Sequence, residues 1–224
     1  MQAPKGQGNT TEPIGAGTHQ AVCYMVVDMG THKTSYGNKR QLLIGWEVPK
    51  YRIEIDGADK PRAVRRWFNF TMYKESDLCK GIEGWSAKQF KDQDAADAFE
   101  FKKLLGKNCL LTTSINKNGY DKVESIGCLM DGMEELRAEN DFIYYSIDEH
   151  GANIPDCVYD KTADKIRQCL ELTGEEQEGQ SYQPQPTTGG FNAKQKAQLD
   201  KARGKLPQED TRDWSDGDPD DIPF

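Results

Sequence analysis

The chain of 224 residues carries 37 aspartates and glutamates against 29 lysines and arginines, a net charge of −8, which excludes a protein that binds nucleic acid through its overall charge. Only 36% of its residues are hydrophobic, so we expect part of the chain to lie outside a packed core. No apolar run reaches the ~18 residues of a membrane span, and the first residues lack the pattern of a signal peptide, which predicts a soluble intracellular protein.

Five strands and one helix are predicted in the first 130 residues. Apolar and β-branched residues indicate three strands, over Gln20–Met29, Arg40–Val48 and Val64–Tyr73. Pro49 is expected to end the second. Helical spacing of apolar residues indicates a helix from Asp94 to Leu105, with Asp92 or Asp94 as N-cap and Gly106 as C-cap. Two more strands are then predicted on either side of an Asn118-Gly119 turn, over Asn108–Ile115 and Tyr120–Leu129.

This order of elements is that of the OB-fold, a five-stranded Greek-key barrel with a helix between strands 3 and 4. We therefore expect a mainly β domain over residues 13–172, in which residues from about 130 onward form a small appendage that includes a helical segment, Lys161–Leu172. Residues 173–206 are rich in Gly, Gln and Pro and contain a basic stretch, which predicts a flexible linker. Residues 207–224 are predicted to be a disordered acidic tail.

The charges are distributed unevenly along the chain. The tail 207–224 holds seven acidic residues and one arginine, a net of −6. Residues 31–74 hold ten lysines and arginines against four acidic residues, a net of +6. The chain thus combines a basic patch with an acidic tail.

The third predicted strand separates two kinds of side chain by alternation. Phe68, Phe70 and Met72 point to one side and are expected in the core. The other side presents cationic, aromatic and small polar groups: Arg65, Trp67, Asn69, Thr71 and Tyr73. That composition is typical of a platform on which the bases of single-stranded nucleic acid stack. The alternative is that the two aromatic residues cover a barrel end or an oligomer contact.

The loop between the first two strands, Thr31–Lys39, is where an OB-fold places one of its binding loops. It holds Lys33, Tyr36 and Lys39 among small residues, and Arg40 follows it directly. We include these four residues among the candidates for binding single-stranded DNA. Trp46 shares a face with apolar neighbours and is expected in the core instead.

No catalytic or metal-binding pattern stands out. Glu100-Phe101-Lys102 resembles the E-x-K of nucleases, but no Pro-Asp precedes it, which favours a solvated helix face. A calcium loop beginning at Asp216 would need its glutamate beyond the last residue, Phe224. The six cysteines lie at least twelve positions apart, which predicts reduced thiols. We therefore expect a protein that is not an enzyme and holds no metal or cofactor.

The last five residues are Asp220, Asp221, Ile222, Pro223 and Phe224. They resemble the acidic tip of bacterial single-stranded DNA-binding proteins. The body is similar to a phage-encoded single-stranded DNA-binding family in a set of short segments spread over about residues 13–130: Pro13–Gly17, Val27–Gly30, Gly45–Glu47, Gly84-Trp85 and Leu105–Lys107.

The resemblance implies sequence-independent binding and protection of single-stranded DNA in phage replication or recombination, in the cytoplasm of the bacterial host. It also implies that the tip, Asp220–Phe224, recruits host or phage replication, recombination and repair proteins. Two alternatives stay open: a recombination mediator or annealing protein, and, in a different class, a metal-dependent nuclease.

Overall fold

A computed structural model describes residues 12–55 and 57–174. Five strands form its main sheet: β1 (Gly17–Thr34), β2 (Gly37–Ile55), β3 (Ala58–Asn69), β4 (Asn108–Ile115) and β5 (Asp121–Gly127). They lie in the order β3-β2-β1-β4-β5, and every neighbouring pair is antiparallel. A sixth strand, β6 (Ile143–Tyr145), pairs with β1 in parallel. The predicted mainly β fold is confirmed. Among the described residues no ladder joins β3 to β5, so the sheet is not closed.

The helical segments of the described residues are short. Three lie between β3 and β4: α1 (Asp77–Ser86), α2 (Gln93–Asp97) and a 3-10 turn, Phe101–Leu104. Three follow β6: α3 (Ile147–His150), α4 (Asp160–Arg167) and α5 (Leu170–Thr173). No helix in residues 12–55 and 57–174 has both the length and the apolar character needed to cross a membrane.

Strand β1 is buried on both faces, from Ala21 through Thr31. Its first half pairs with β4, and its second half pairs with β2 and, at Met25–Val27, with β6. A strand covered on both sides needs apolar residues at consecutive positions rather than alternate ones, which explains its continuous apolar run. Each face therefore has its own core.

The first core lies under α1 and α2. Helix α1 begins at Ser76, whose side chain accepts a hydrogen bond from the Cys79 N–H at 3.2 Å. It buries Leu78, Ile82 and Trp85, which follow one another at helical spacing. The indole of Trp85 donates a hydrogen bond to the Asn108 carbonyl at 2.7 Å and so fixes α1 against β4.

The second core lies under the appendage. Ile147, Ala163 and Ile166 of the appendage helices pack with Met25 of β1 and Leu43 of β2 on the face opposite α1. The appendage therefore covers a second apolar face of the sheet.

The predicted end of β2 and the predicted single helix before β4 were wrong. Strand β2 continues through Pro49, because Pro49 lies in a bulge between the paired positions Val48–Arg62 and Arg52–Pro61, where it interrupts no ladder. The single helix predicted over Asp94–Leu105 is two short segments, since the chain is extended at Glu100.

Aromatic packing explains the broken helix. The Phe99 ring lies edge-on to Phe90 and Phe101, at 5.7 and 5.2 Å, and Phe101 lies edge-on to Phe70 at 5.0 Å. These contacts between distant segments outweigh a local helical preference. Asp92 is the N-cap, as predicted, and accepts a hydrogen bond from the Ala95 N–H at 2.8 Å.

Candidate nucleic-acid interface

The outer face of β3 carries three of the predicted platform residues, Arg65, Trp67 and Asn69. Phe68 is 3% exposed, whereas Trp67 beside it is 43% exposed. Arg65 and Asn69, two positions away on either side, are exposed as well. The alternation predicted from the sequence is present, and it leaves an indole open to solvent between a cation and an amide.

A cavity of about 400 Å³ lies beside Trp67. Polar residues from β2, the end of β3, the turn after it and the start of α1 line it, together with the indole and Phe68: Gln41, Asn69, Thr71, Ser76 and Asp77. Amide and hydroxyl groups can both donate and accept hydrogen bonds. An aromatic wall with such a lining suits a flat, polar ring such as a nucleobase.

Two cation–aromatic pairs extend this face onto the appendage. The Lys165 ammonium lies 4.0 Å from the centroid of the Trp67 ring. The Arg65 guanidinium lies 4.4 Å from the centroid of the Tyr159 ring. Tyr159 is the residue before α4, and Lys165 is in that helix. We call the group formed by Arg65, Trp67, Tyr159 and Lys165 the β3–α4 surface.

The hydroxyl of Tyr159 forms a hydrogen bond with a buried tyrosine, Tyr24. Its hydroxyl oxygen lies 3.2 Å from that of Tyr24, which is 1% exposed. Burial, and then the hydrogen bond with Tyr159, raise the pKa of Tyr24 well above its usual range. Tyr24 therefore stays a neutral hydroxyl that positions the Tyr159 ring.

The tip of the β1–β2 hairpin is shorter than predicted. Strand β1 runs to Thr34 and β2 starts at Gly37, so only Ser35 and Tyr36 connect them. Gly37 has a φ of +96°, which the turn requires and which glycine adopts without strain.

Two of the candidate residues at this tip, Lys33 and Tyr36, are exposed, and Lys39 is half-buried. Tyr36 is 87% exposed, and the Lys39 ammonium lies 5.6 Å from its ring centroid. Lys33 is exposed and stands opposite Asn38 in the register. Trp67 pairs with Leu43, seven residues along β2 from Tyr36, which corresponds to roughly 20 Å of strand. The hairpin tip and the β3–α4 surface are thus two separate groups of candidate residues, at different positions along β2.

Tyr73 lies beyond β3, which ends at Asn69 rather than at the predicted Tyr73. It is 63% exposed, in the turn that leads into α1, where its carbonyl accepts a hydrogen bond from the Ser76 N–H at 2.7 Å. Thr71 and Ser76 of the same turn line the cavity beside Trp67. Tyr73 therefore belongs to the neighbourhood of the platform, although not to the strand.

Arg40 is not part of this group. Its guanidinium pairs with Asp28 at 2.5 Å and with Asp148 at 2.8 Å, and it lies over the Phe70 ring at 5.2 Å. Asp28 is 2% exposed. The hydrogen bond to Asp28 raises the pKa of Arg40 above its usual range. Arg40 therefore compensates a buried carboxylate and ties β2 to β1 and α3.

Acidic residues neutralise part of the basic segment 31–74; Asp59 lies inside the segment, and the other partners lie elsewhere in the fold. Arg52 pairs with Asp59 and Glu139, Arg62 with Asp121, and Arg66 with Asp77. Among the arginines of this segment, and within the described residues, Arg65 differs in that an aromatic ring rather than a carboxylate covers it. Its charge is available to a further partner.

The nuclease-like motif lines a different cavity, of about 300 Å³. Glu100 pairs with Lys103 at 3.4 Å, and the Lys102 ammonium lies 5.3 Å from the Tyr144 ring centroid. In residues 12–55 and 57–174, no three His, Cys, Asp or Glu side chains are grouped so as to hold a metal ion.

Sequence reasoning did not find Tyr159 and Lys165. The helical pattern over Lys161–Leu172 indicates that α4 exists, but nothing in the sequence says against which strand it packs. The predicted tip, Asp220–Phe224, and the acidic tail lie outside the described residues, as does the linker beyond Gly174. The chain matches no protein-family model and no curated protein.

Proposed function

We propose that the protein binds single-stranded DNA without sequence preference, and that the platform around Trp67 is where bases stack. The observation that carries this proposal is the 43% exposure of Trp67 on a strand whose alternate residues are buried. Leaving so much of an indole in water is unfavourable unless a partner covers it. A neighbouring cation, Arg65, and a polar cavity favour a partner with phosphates and flat polar rings.

The arrangement of strands supports an OB-fold as the basis of this function. In an OB barrel the third and fifth strands close the sheet. Here α1 lies at the opening: a Cβ at Gly84 would be 2.9 Å from the Ile126 carbonyl oxygen of β5. The Arg66 guanidinium of β3 donates a hydrogen bond to the Glu124 carbonyl of β5 at 3.0 Å. We propose an OB-fold in which α1 and the Arg66 side chain bridge the gap between β3 and β5.

The role in phage replication or recombination, and the recruitment of partner proteins by the tip Asp220–Phe224, are further parts of the proposal. They are supported by the sequence resemblance and by the separation of charge between residues 31–74 and 207–224. Carboxylates near the end of a chain attract a basic surface, and the terminal phenyl ring can fill an apolar pocket.

A titration of the full chain against fluorescent oligo-dT, followed by anisotropy at two salt concentrations, tests the binding proposal. We expect binding that weakens with salt, and a loss of about fivefold or more for Trp67→Ala, since one base–aromatic stack contributes ~1–3 kcal/mol. Phe142→Ala is the matched control, because Phe142 is another exposed aromatic residue, 52% exposed, that lies against Gly106. Oligo-U and duplex DNA serve as competitors. Equal affinities of wild type and Trp67→Ala would contradict the proposal.

A further inference from the structure

Helix α4 packs on the sheet with one face, and another part of the helix lies beside β3. Ile166 is fully buried, and Ala163 is 5% exposed, both in the core with Leu43. Leu43 pairs with Trp67 in the register of β2 and β3. The helix is therefore fixed one strand away from the platform, with Lys165 on the side that faces Trp67.

The Lys165 ammonium covers one face of the Trp67 indole. It lies 4.0 Å from the ring centroid, within the distance of a cation–π contact. Such a contact is weak where water reaches it. A base that stacks on this face displaces the ammonium, and the same nucleotide brings a phosphate within reach of the long lysine side chain.

Tyr159 offers a second aromatic ring at the same edge. Arg65 covers one side of this ring, and Tyr24 holds its hydroxyl, yet Tyr159 is 42% exposed. A ring that is fixed before binding loses little conformational freedom when a base stacks on it. Arg65 also interacts with the Tyr24 hydroxyl, but a guanidinium has five N–H groups and stacking uses none of them, so other donors stay free for a phosphate.

We propose that α4 forms the second wall of the single-stranded DNA path: bases stack on Trp67 and Tyr159, and Lys165 leaves the Trp67 ring to bind a phosphate. This inference rests on the proposed function and extends the binding site into the appendage. It predicts that residues 157–167 contribute to affinity as directly as β3 does.

The experiment uses the full chain, fluorescent oligo-dT and a series of salt concentrations. For single strands the slope of log K against log salt is about −0.7 per phosphate contact. We expect Lys165→Gln to reduce the magnitude of that slope by about 0.7 and Lys165→Arg to keep it. Tyr159→Leu, which keeps an apolar side chain and removes the aromatic ring, is expected to weaken binding by about fivefold or more. Arg167→Gln is the matched control, since it removes one charge from the same helix at a residue that pairs with Asp164 at 2.8 Å.

The outcomes separate this inference from the function on which it rests. If wild type binds oligo-dT and Trp67→Ala weakens it, while Lys165→Gln and Tyr159→Leu behave like Arg167→Gln, α4 is not part of the path and the inference is rejected alone. If Lys165→Gln binds more tightly than wild type, the lysine only covers the indole, and the proposed phosphate contact is rejected. If wild type does not bind oligo-dT, both proposals are rejected.

Discussion

Glu171 accepts two hydrogen bonds from Thr31, one from its backbone N–H at 2.8 Å and one from its hydroxyl at 2.5 Å. The contact ties α5, at the end of the described chain, to β1 in the centre of the sheet. Burial raises the pKa of Glu171, but the hydrogen bonds from Thr31 outweigh that effect, and the pKa is lowered overall.

The first prediction concerns the pH dependence of this contact. A carboxyl group whose pKa is lower in the folded state contributes stability above its unfolded value of ~4.3, and this contribution is lost as the pH falls through the folded pKa. We expect Glu171→Gln to lower the free energy of unfolding by about 1–2 kcal/mol at pH 7, because hydrogen bonds to a charged acceptor are the stronger ones. Urea unfolding from pH 7 downward should show the difference from wild type shrinking in acid. A difference that is constant with pH would contradict this account.

The second prediction concerns Glu47, which is fully buried in β2. Its carboxylate accepts hydrogen bonds from the backbone N–H groups of Glu139 and Asn140, at 2.6 and 3.0 Å, and from the Asn140 side chain at 2.7 Å. Glu47→Ala should destabilise the fold by about 1–3 kcal/mol, since it removes three hydrogen bonds to a buried carboxylate, while the donors of Glu139, which is exposed, and of Asn140, which is half-buried, can turn to water. Glu54→Ala, at an exposed position of the same strand, is the control and should stay within ~0.5 kcal/mol of wild type.

The third prediction separates two arginines that the sequence placed in one group. Arg40→Ala leaves the buried Asp28 without its partner and should cost about 2–3 kcal/mol, less than a fully buried pair because the Arg40 side chain is 30% exposed. Arg65→Ala should leave thermal unfolding nearly unchanged and reduce the salt slope of oligo-dT binding by about 0.7. Thermal unfolding and the binding titration, done on both variants, check this. A large loss of stability in Arg65→Ala would show instead that Arg65 stabilises the fold.

The fourth prediction concerns the acidic tail. Deleting residues 207–224 removes a net charge of −6. If the tail competes with DNA for the basic face, the truncated protein should bind oligo-dT more tightly, most of all at low salt, where charges are least screened. Replacing the tail aspartates by asparagine is the control for length and should give the same gain. Unchanged affinity at low salt would show that the tail does not compete.

The fifth prediction concerns Phe224. If the proposed tip recruits repair proteins, Phe224→Ala should abolish that binding, because the phenyl ring is the group proposed to fill the partner's apolar pocket. Affinity for oligo-dT should stay within about twofold, a difference of only ~0.4 kcal/mol. A pull-down from host lysate with wild type and Phe224→Ala checks this. Recovery of the same repair proteins by both would leave the tip without a docking role.

The strands could be predicted because their signals are local. Strand β4 has the predicted bounds, Asn108–Ile115, and the alternation in β3 separates Trp67 from Phe68 correctly. The helix prediction was wrong where contacts between distant residues determine the backbone conformation. The helix pattern at Asp94–Leu105 gave way to packing among Phe99, Phe101 and Phe70, which no window of neighbouring residues contains.

The candidate site also contains residues that could be predicted from the sequence and residues that could not. Trp67 and Tyr36 are exposed as the pattern indicates, because alternation and turn composition report on burial within one strand or turn. The pairing of Arg40 with the buried Asp28 and the approach of Lys165 to Trp67 depend on how distant segments meet. Local patterns in a single sequence do not reveal which distant segments meet.

The cover that the appendage places over the second face of the sheet limits how the protein can be shortened. A fragment ending near residue 130 would keep all five strands of the main sheet, yet it would present Met25, Val27 and Leu43 to water as one continuous apolar patch. Exposed patches of this kind promote aggregation. A fragment designed for crystallisation or for a minimal binding assay should therefore extend to Gly174, which follows α5.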